Sequence, residues 1–292
     1  MVVTNKVNNT IRISGGLCQG NTLNANTDTS FSKLTWLLNN KIIQTDNYAT
    51  TSYQGTDTSG ITVAGGNGNG NLQNQLAQVP EGVFVDKKGN VYVADNANNR
   101  IVKWLNGATK GITVAGGNGS GKAANQLNAP YAVAVDTMGN IYIADASNNR
   151  IQKWKEGSNS GVTVAGSAAG TSGATNSLLN NPKGIYLDAS NNLYIADAFN
   201  HRIQKWALGA TFATTVAGGN GNGVGPNQLS NPNAVFVDEK NSNTLYITDY
   251  GNYRVQVWNT GQSSGTTLFT APKYSTLYGI VLSPDANTIL LG

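Results

Sequence analysis

The groups in this chain with the most chemical potential are carboxylates that return in register. Asp86, Asp136, Asp188 and Asp238 each close a short apolar run. Four carboxylates in cyclic register offer the hard oxygen ligands that Ca²⁺ takes, which makes them the candidate metal ligands. The same aspartates head turn sequences such as Asp86-Lys-Lys-Gly-Asn90, where an Asp side chain serves the local backbone. That local role is preferred, so no cofactor is expected and Ca²⁺ is the ion to test. A second set, Asp95, Asp145, Asp197 and Asp249, is followed five residues later by Arg100, Arg150, Arg202 and Arg254. A ring of arginines could bind anions. Each arrives with its own carboxylate, however, and a charge-assisted bridge across one tight connection is the expectation.

Other chemistry is limited by scarcity. The chain has one histidine, His201, and one cysteine, Cys18. A three-histidine zinc site and an intrachain disulfide both fail on that count. Acids recur in every repeat, yet no position singles out a glycosidase-like pair. The variable positions carry more information. The residue that opens each inner apolar run is Ser32, Glu81, Tyr131, Lys183, Asn233 or Tyr278, a ring of mixed chemistry. Nearby turns carry Phe199, His201, Tyr250 and Tyr253 where other copies have Ala, Ser or Asn. Aromatics gathered on one sector of a polar face suit a binding patch. The expected site therefore comprises Glu81, Tyr131, Lys183, Asn233, Tyr278, Phe199, His201, Tyr250 and Tyr253, with no catalytic residue assigned.

These residues are positioned by a repeat. Tyr92-Val-Ala-Asp95 followed by Arg100-Ile-Val-Lys-Trp104 recurs from Tyr142, Tyr194 and Tyr246, about every 50 residues, the period of a β-propeller. Each copy holds four apolar runs separated by Gly, Asn and Asp turns, which predicts a blade of four antiparallel strands. The first run is the most continuously apolar and is expected innermost. Trp104, Trp154, Trp206 and Trp258 recur once per copy and are expected to pack blades together. Asn98, Asn148, Asn200 and Asn252 recur in the turn, where Asn tolerates left-handed backbone.

Ile11-Arg-Ile-Ser-Gly-Gly16 matches Ile61-Thr-Val-Ala-Gly-Gly66, and the last apolar runs read as first and second strands only. The prediction is an all-β, six-bladed β-propeller with its closing blade shared between the N- and C-termini, forming a single domain over residues 1–292. Loss of residues 1–16 would then cost global stability. The copy over residues 31–66 is degenerate: Trp36 and Ile42-Ile43 keep the rhythm, Thr45-Asp46 ends the second run, and Tyr53 replaces the tryptophan.

Whole-chain numbers bound the partners. Charged residues make up 12% of the 292 positions and the net charge is +4, spread over fixed repeat positions. Scattered charge argues against nucleic acid. No stretch approaches a membrane span and no signal segment opens the sequence as given, so no membrane insertion is expected. The leaning is toward an extracellular or secreted setting. Asn8-Asn9-Thr10 and Asn118-Gly-Ser120 fit a glycosylation pattern that arises by chance in Asn-rich chains.

The unit from Pro80 to Trp104, repeated from Pro130, Pro182 and Pro232, resembles the NHL repeat. The resemblance covers four copies closely and two loosely. It implies a six-bladed propeller and says little of activity, since such propellers serve unrelated roles. One related class, the zinc-dependent peptidylglycine amidating lyases, needs several histidines, which this chain lacks. Others are sensor, adhesion and RNA-binding domains. The leading functional reading is a non-catalytic interaction scaffold presenting a face to a protein, peptide or glycan. The alternatives are a hydrolase or lyase using carboxylates or a bound metal, and an RNA-binding propeller.

Overall fold

The computed structural model describes residues 62–273, 277–282 and 288–291, together with four short N-terminal strands, Val2–Lys6, Thr10–Ser14, Trp36–Leu38 and Lys41–Ile43. Cys18, Ser32, Thr45-Asp46, Tyr53 and the Asn8 pattern lie outside the described residues. Four sheets of four antiparallel strands follow one another. Sheet I comprises Val83–Val85, Val91–Asp95, Arg100–Trp104 and Ile112–Gly116. Sheet II comprises Pro130–Val135, Ile141–Asp145, Arg150–Trp154 and Gly161–Gly166. Sheet III comprises Pro182–Leu187, Leu193–Asp197, Arg202–Trp206 and Thr214–Gly218. Sheet IV comprises Ala234–Asp238, Thr244–Asp249, Arg254–Trp258 and Thr266–Thr270. In each, strands pair in sequence order. Thr10–Ser14, Val2–Lys6, Thr288–Leu291 and Ile280–Leu282 are neighbours in another sheet, and Trp36–Leu38 pairs with Lys41–Ile43. The architecture is all-β and consistent with a β-propeller.

The core lies between sheets. Tyr92, Ala94 and Ile101 of sheet I pack with Ile141, Ile143 and Trp154 of sheet II. Tyr142, Ala144 and Ile151 meet Leu193, Ile195 and Trp206, and Tyr194, Ala196 and Ile203 meet Leu245, Ile247 and Trp258. Trp154, Trp206 and Trp258 thus each fill the gap to the preceding sheet, and Trp104 packs with Ala64 and Leu76. In sheets I to III the second strand is buried along its whole length, while Val83–Val85 is half-buried. A second strand is covered on both faces, so even its Tyr and Asp are enclosed.

The first strands converge on each other. The Gly82 N–H donates to the Tyr131 carbonyl at 2.8 Å, and the Gly184 N–H to the Asn233 carbonyl at 2.7 Å. A Cβ on Gly82 would stand 2.7 Å from the Tyr131 oxygen and 2.8 Å from the Ala132 Cα. Backbone meets backbone there, which only glycine permits.

The turn between second and third strands is a clamp, built four times. Arg100 Nε donates to Asp95 at 2.7 Å, and its other nitrogens donate to the carbonyls of Asn71, Leu72 and Gln75 in the incoming loop. Asp95 also accepts the Ala77 N–H and the Asn98 side chain. Arg150, Arg202 and Arg254 repeat the arrangement with Asp145, Asp197 and Asp249. Burial pushes these last three carboxyls above the usual range, against the pull of the Asn side chain, a backbone N–H and the arginine. The long Gly/Asn stretch is therefore tied down. Asn118 Nδ2, in the second glycosylation pattern, donates to the Gly116 and Asn125 carbonyls.

The left-handed residue of this turn is one position later than the sequence reading placed it. Asn99, Asn149, His201 and Tyr253 have φ of 53°. Asn98, Asn148, Asn200 and Asn252 instead donate to the clamp aspartate and to a loop carbonyl. Their side chains serve the clamp, and the following residue turns the chain.

Candidate ligand site

Where the inner strands begin, the repeat chemistry stops repeating. Lys183 of sheet III reaches across to sheet IV, donating from Nζ to Asn233 Oδ1 at 2.7 Å. The same ammonium lies 5.1 Å from the Tyr131 ring centroid and 5.4 Å from that of Tyr250. Tyr250 in turn faces Tyr278, with centroids 5.7 Å apart and planes tilted by 33°. Side chains opening sheets II, III and IV, and the Tyr278 segment, thus meet around one cation.

Several polar groups here lack partners. Asn233 is fully buried and its Nδ2 meets no acceptor among the described residues. The Tyr131 Oη is likewise buried without a geometrically sound hydrogen bond. Burial, then the negative charge of Glu81, push the Tyr131 phenol far above its usual range; Glu81 acts on it chiefly as a charge. Burial also lowers the proton affinity of Lys183, with Glu81 opposing. Tyr278 is raised by burial first, then by Tyr250 and Glu81. A ligand that brought acceptors and a negative charge would relieve both unmet donors and the desolvated cation.

Of the nine residues expected from sequence, six meet or act on each other here: Glu81, Tyr131, Lys183, Asn233, Tyr250 and Tyr278. Three occupy turns. Phe199 is 54% exposed, and its N–H donates to the Asn180 carbonyl. Tyr253 packs against Val255, Phe269, Ala271 and Leu277. His201 Nδ1 accepts the Asn231 N–H at 3.1 Å. In the preceding sheets the Oδ1 atoms of Asn99 and Asn149 accept the N–H groups of Ala129 and Asn181 in the same way. The single histidine therefore stands in for an asparagine that ties one sheet to the next loop.

A positioning residue escaped the sequence reading. Thr248 replaces the alanine of Ala94, Ala144 and Ala196. Its carbonyl accepts the Asn233 N–H, and its Oγ1 accepts the Ala234 N–H at 2.8 Å. It fixes the strand that carries Asn233. The break from Ala-Asp to Thr248-Asp249 was the available signal.

The first-strand aspartates serve their own turns. Asp86 Oδ1 accepts the backbone N–H groups of Lys88 and Asn90, and Oδ2 accepts the Asn90 side chain. Burial alone would raise its pKa, but these bonds and Lys103 outweigh it and hold the carboxyl below the usual range. Asp136 and Asp188 repeat the pattern, and Asp238 accepts the N–H groups of Lys240 and Asn241. Among the described residues no three His, Cys, Asp or Glu side chains form a group that could hold a metal ion. None of their helices is long and apolar enough to cross a membrane.

Comparison with known proteins bears on the fold. Residues 78–104, 127–154 and 179–206 match the NHL repeat. A chain of a nidogen/laminin complex superposes with a TM-score of 0.54 at 21% identity, over 70% of this chain and 69% of that one. A gluconolactonase from Xanthomonas campestris superposes with 0.53 at 12% identity, over 70% and 66%. Virginiamycin B lyase from Staphylococcus aureus superposes with 0.50 at 17%, over 76% of this chain and 65% of the lyase, less than two thirds of its length. At these identities the likeness is one of fold. No curated protein matches the chain.

Proposed function

We propose that this NHL-repeat chain is a non-catalytic binding module that presents its central mouth to a protein, peptide or glycan. In this reading the sheets are blades of a six-bladed propeller, closed by a blade that the two chain ends share. The observation that carries it is the meeting of Lys183, Asn233, Tyr131 and Tyr250 around donors left without acceptors. Buried polar groups are nearly always satisfied, so an unmet cluster at an open end is where a ligand would complete the structure. Phe199 would extend the same face outward as an exposed aromatic. Glycan and peptide arrays probed with wild type and with Lys183→Ala and Tyr250→Ala test it. Ligands bound by wild type should be lost in both variants, and unchanged array patterns would overturn the assignment.

A second reading, a lyase or hydrolase, draws on one observation. Lys183 has its proton affinity lowered by burial and lies near the Glu81 charge, an arrangement suited to proton transfer. The gluconolactonase and the virginiamycin B lyase show that comparable folds house enzymes. Metal content of the purified protein separates metal-assisted catalysis from binding: stoichiometric Ca²⁺ or Zn²⁺ would favour it.

A further inference from the structure

We infer that the central mouth takes the carboxylate of an acidic sugar, seated on Lys183 Nζ, with the sugar ring against Tyr250 and Tyr278. The inference rests on the binding-module reading and gives it a ligand class.

The unmet capacity at the mouth is donor capacity. Lys183 Nζ carries three N–H groups, of which Asn233 Oδ1 takes one. Two N–H groups of Lys183 thus remain, while Asn233 Nδ2 lies buried behind it without an acceptor among the described residues. A carboxylate is acceptor-only, with oxygens to meet the free Lys183 N–H groups, and charge-assisted bonds of this kind are the stronger ones. Its negative charge would also return to Lys183 the proton affinity that burial removes.

Glu81 limits how much charge the ligand can bring. It already acts on both Lys183 and Tyr131 as a negative neighbour. A monoanion fits beside it, whereas a dianionic phosphate meets more repulsion than one lysine offsets.

The tyrosines indicate the body that carries the carboxylate. Tyr250 and Tyr278 form a tilted aromatic pair, and Tyr278 is 37% exposed. Ring faces with polar tips accept a flat C–H face whose rim bears hydroxyls. The side chains that converge on Lys183 are tyrosine, asparagine and glutamate. None is aliphatic, so they offer no pocket for the apolar side chain of a peptide C-terminus. A sugar ring fits this surface and a peptide end does not.

Titration calorimetry tests the inference with four probes: D-galacturonate, D-galactose, N-acetylglycine and inorganic phosphate. Galacturonate should bind about tenfold or more tightly than each of the others, the scale of one charge-assisted contact. Lys183→Met should lower galacturonate affinity to that of galactose, and Tyr250→Ala should weaken both sugars, with circular dichroism confirming that the variants fold. The preference for galacturonate should fade at alkaline pH earlier than an exposed lysine would lose its proton. Equal binding of galactose and galacturonate, with both lost in Tyr250→Ala, would overturn the carboxylate and keep the binding face. N-acetylglycine or phosphate binding as tightly as galacturonate would overturn the sugar. No binding of any probe, with array ligands insensitive to Lys183 and Tyr250, would overturn inference and binding module together.

Discussion

The Asp–Arg clamps and the Lys183 cluster lie at the same end of the sheets and use similar parts, a buried cation among polar partners. They differ in closure. Arg150 bonds to Asp145 and to the carbonyls of Lys122, Ala123, Gln126 and Ala168, so each guanidinium nitrogen donates. The Asp–Arg pair with its bonds to the incoming loop recurs in sheets I to IV, and Ala168 adds a carbonyl from the outgoing loop of sheet II. Lys183 instead spans three sheets, meeting Tyr131 of sheet II and Asn233 and Tyr250 of sheet IV, with donors left over beside it. The other lysine–tyrosine contacts are local: Lys103, Lys153 and Lys205 lie over Tyr92, Tyr142 and Tyr194 of their own sheets at 5.1, 5.0 and 5.1 Å. Burial of charge is thus compatible with two roles. Repetition within one sheet marks construction, and the single instance that joins several sheets marks a site.

The sharpest way to break this contrast is to open a clamp. Arg150→Ala should destabilise the fold by about 3–5 kcal/mol, because it leaves the Asp145 carboxylate buried and unpaired. Urea unfolding measures it; a loss below about 1 kcal/mol would make the clamps as dispensable as surface ion pairs.

Next comes the spacing of the inner strands. Gly82→Ala places a methyl group against the Tyr131 carbonyl and Ala132 Cα, which are backbone and cannot turn aside. The expected cost is about 1–3 kcal/mol by thermal or urea unfolding, with weakened binding because Tyr131 moves. A fully stable variant with unaltered binding would mean that the inner strands are not held at this distance.

A smaller effect separates structural from chemical roles for the sole histidine. His201→Asn should leave stability near that of wild type, since Asn99 and Asn149 already accept the equivalent N–H. His201→Ala should lose about 1 kcal/mol by leaving the Asn231 N–H unmet. A ligand-binding or catalytic defect in His201→Asn, at unchanged stability, would give His201 a role beyond the tie between sheets.

Much of the fold was legible because its determinants repeat. Tyr-x-Ala-Asp, Asn-Arg-Ile and the following Trp mark second and third strands in every copy, and the Asp–Arg spacing announced the ion pair. The relative burial of first and second strands was not legible. Tyr92-Val-Ala-Asp95 is less uniformly apolar than a first strand, yet it is enclosed by sheet II on one face and by Ala64 and Leu76 on the other. The left-handed turn position also escaped, since adjacent asparagines such as Asn98 and Asn99 look alike and φ separates them.

At the candidate site, the varying residues that open the inner strands were visible as breaks in the repeat. What could not be read was aim. Tyr250 and Tyr253 stand in one turn, but backbone geometry sends Tyr250 to Lys183 and Tyr253 toward Phe269 and Leu277. His201 drew notice by being unique, although its Nδ1 does the work of an Asn Oδ1. The unmet donors of Asn233 and Tyr131 follow from three sheets meeting, which no single repeat encodes.

The most direct test of the contrast is the urea unfolding free energy of Lys183→Met against wild type. Removing a desolvated cation should offset the one hydrogen bond lost to Asn233, so the account predicts a value within about 1 kcal/mol of wild type. A loss on the scale of Arg150→Ala would contradict it, and would make Lys183 a fifth structural cation instead of the centre of a site.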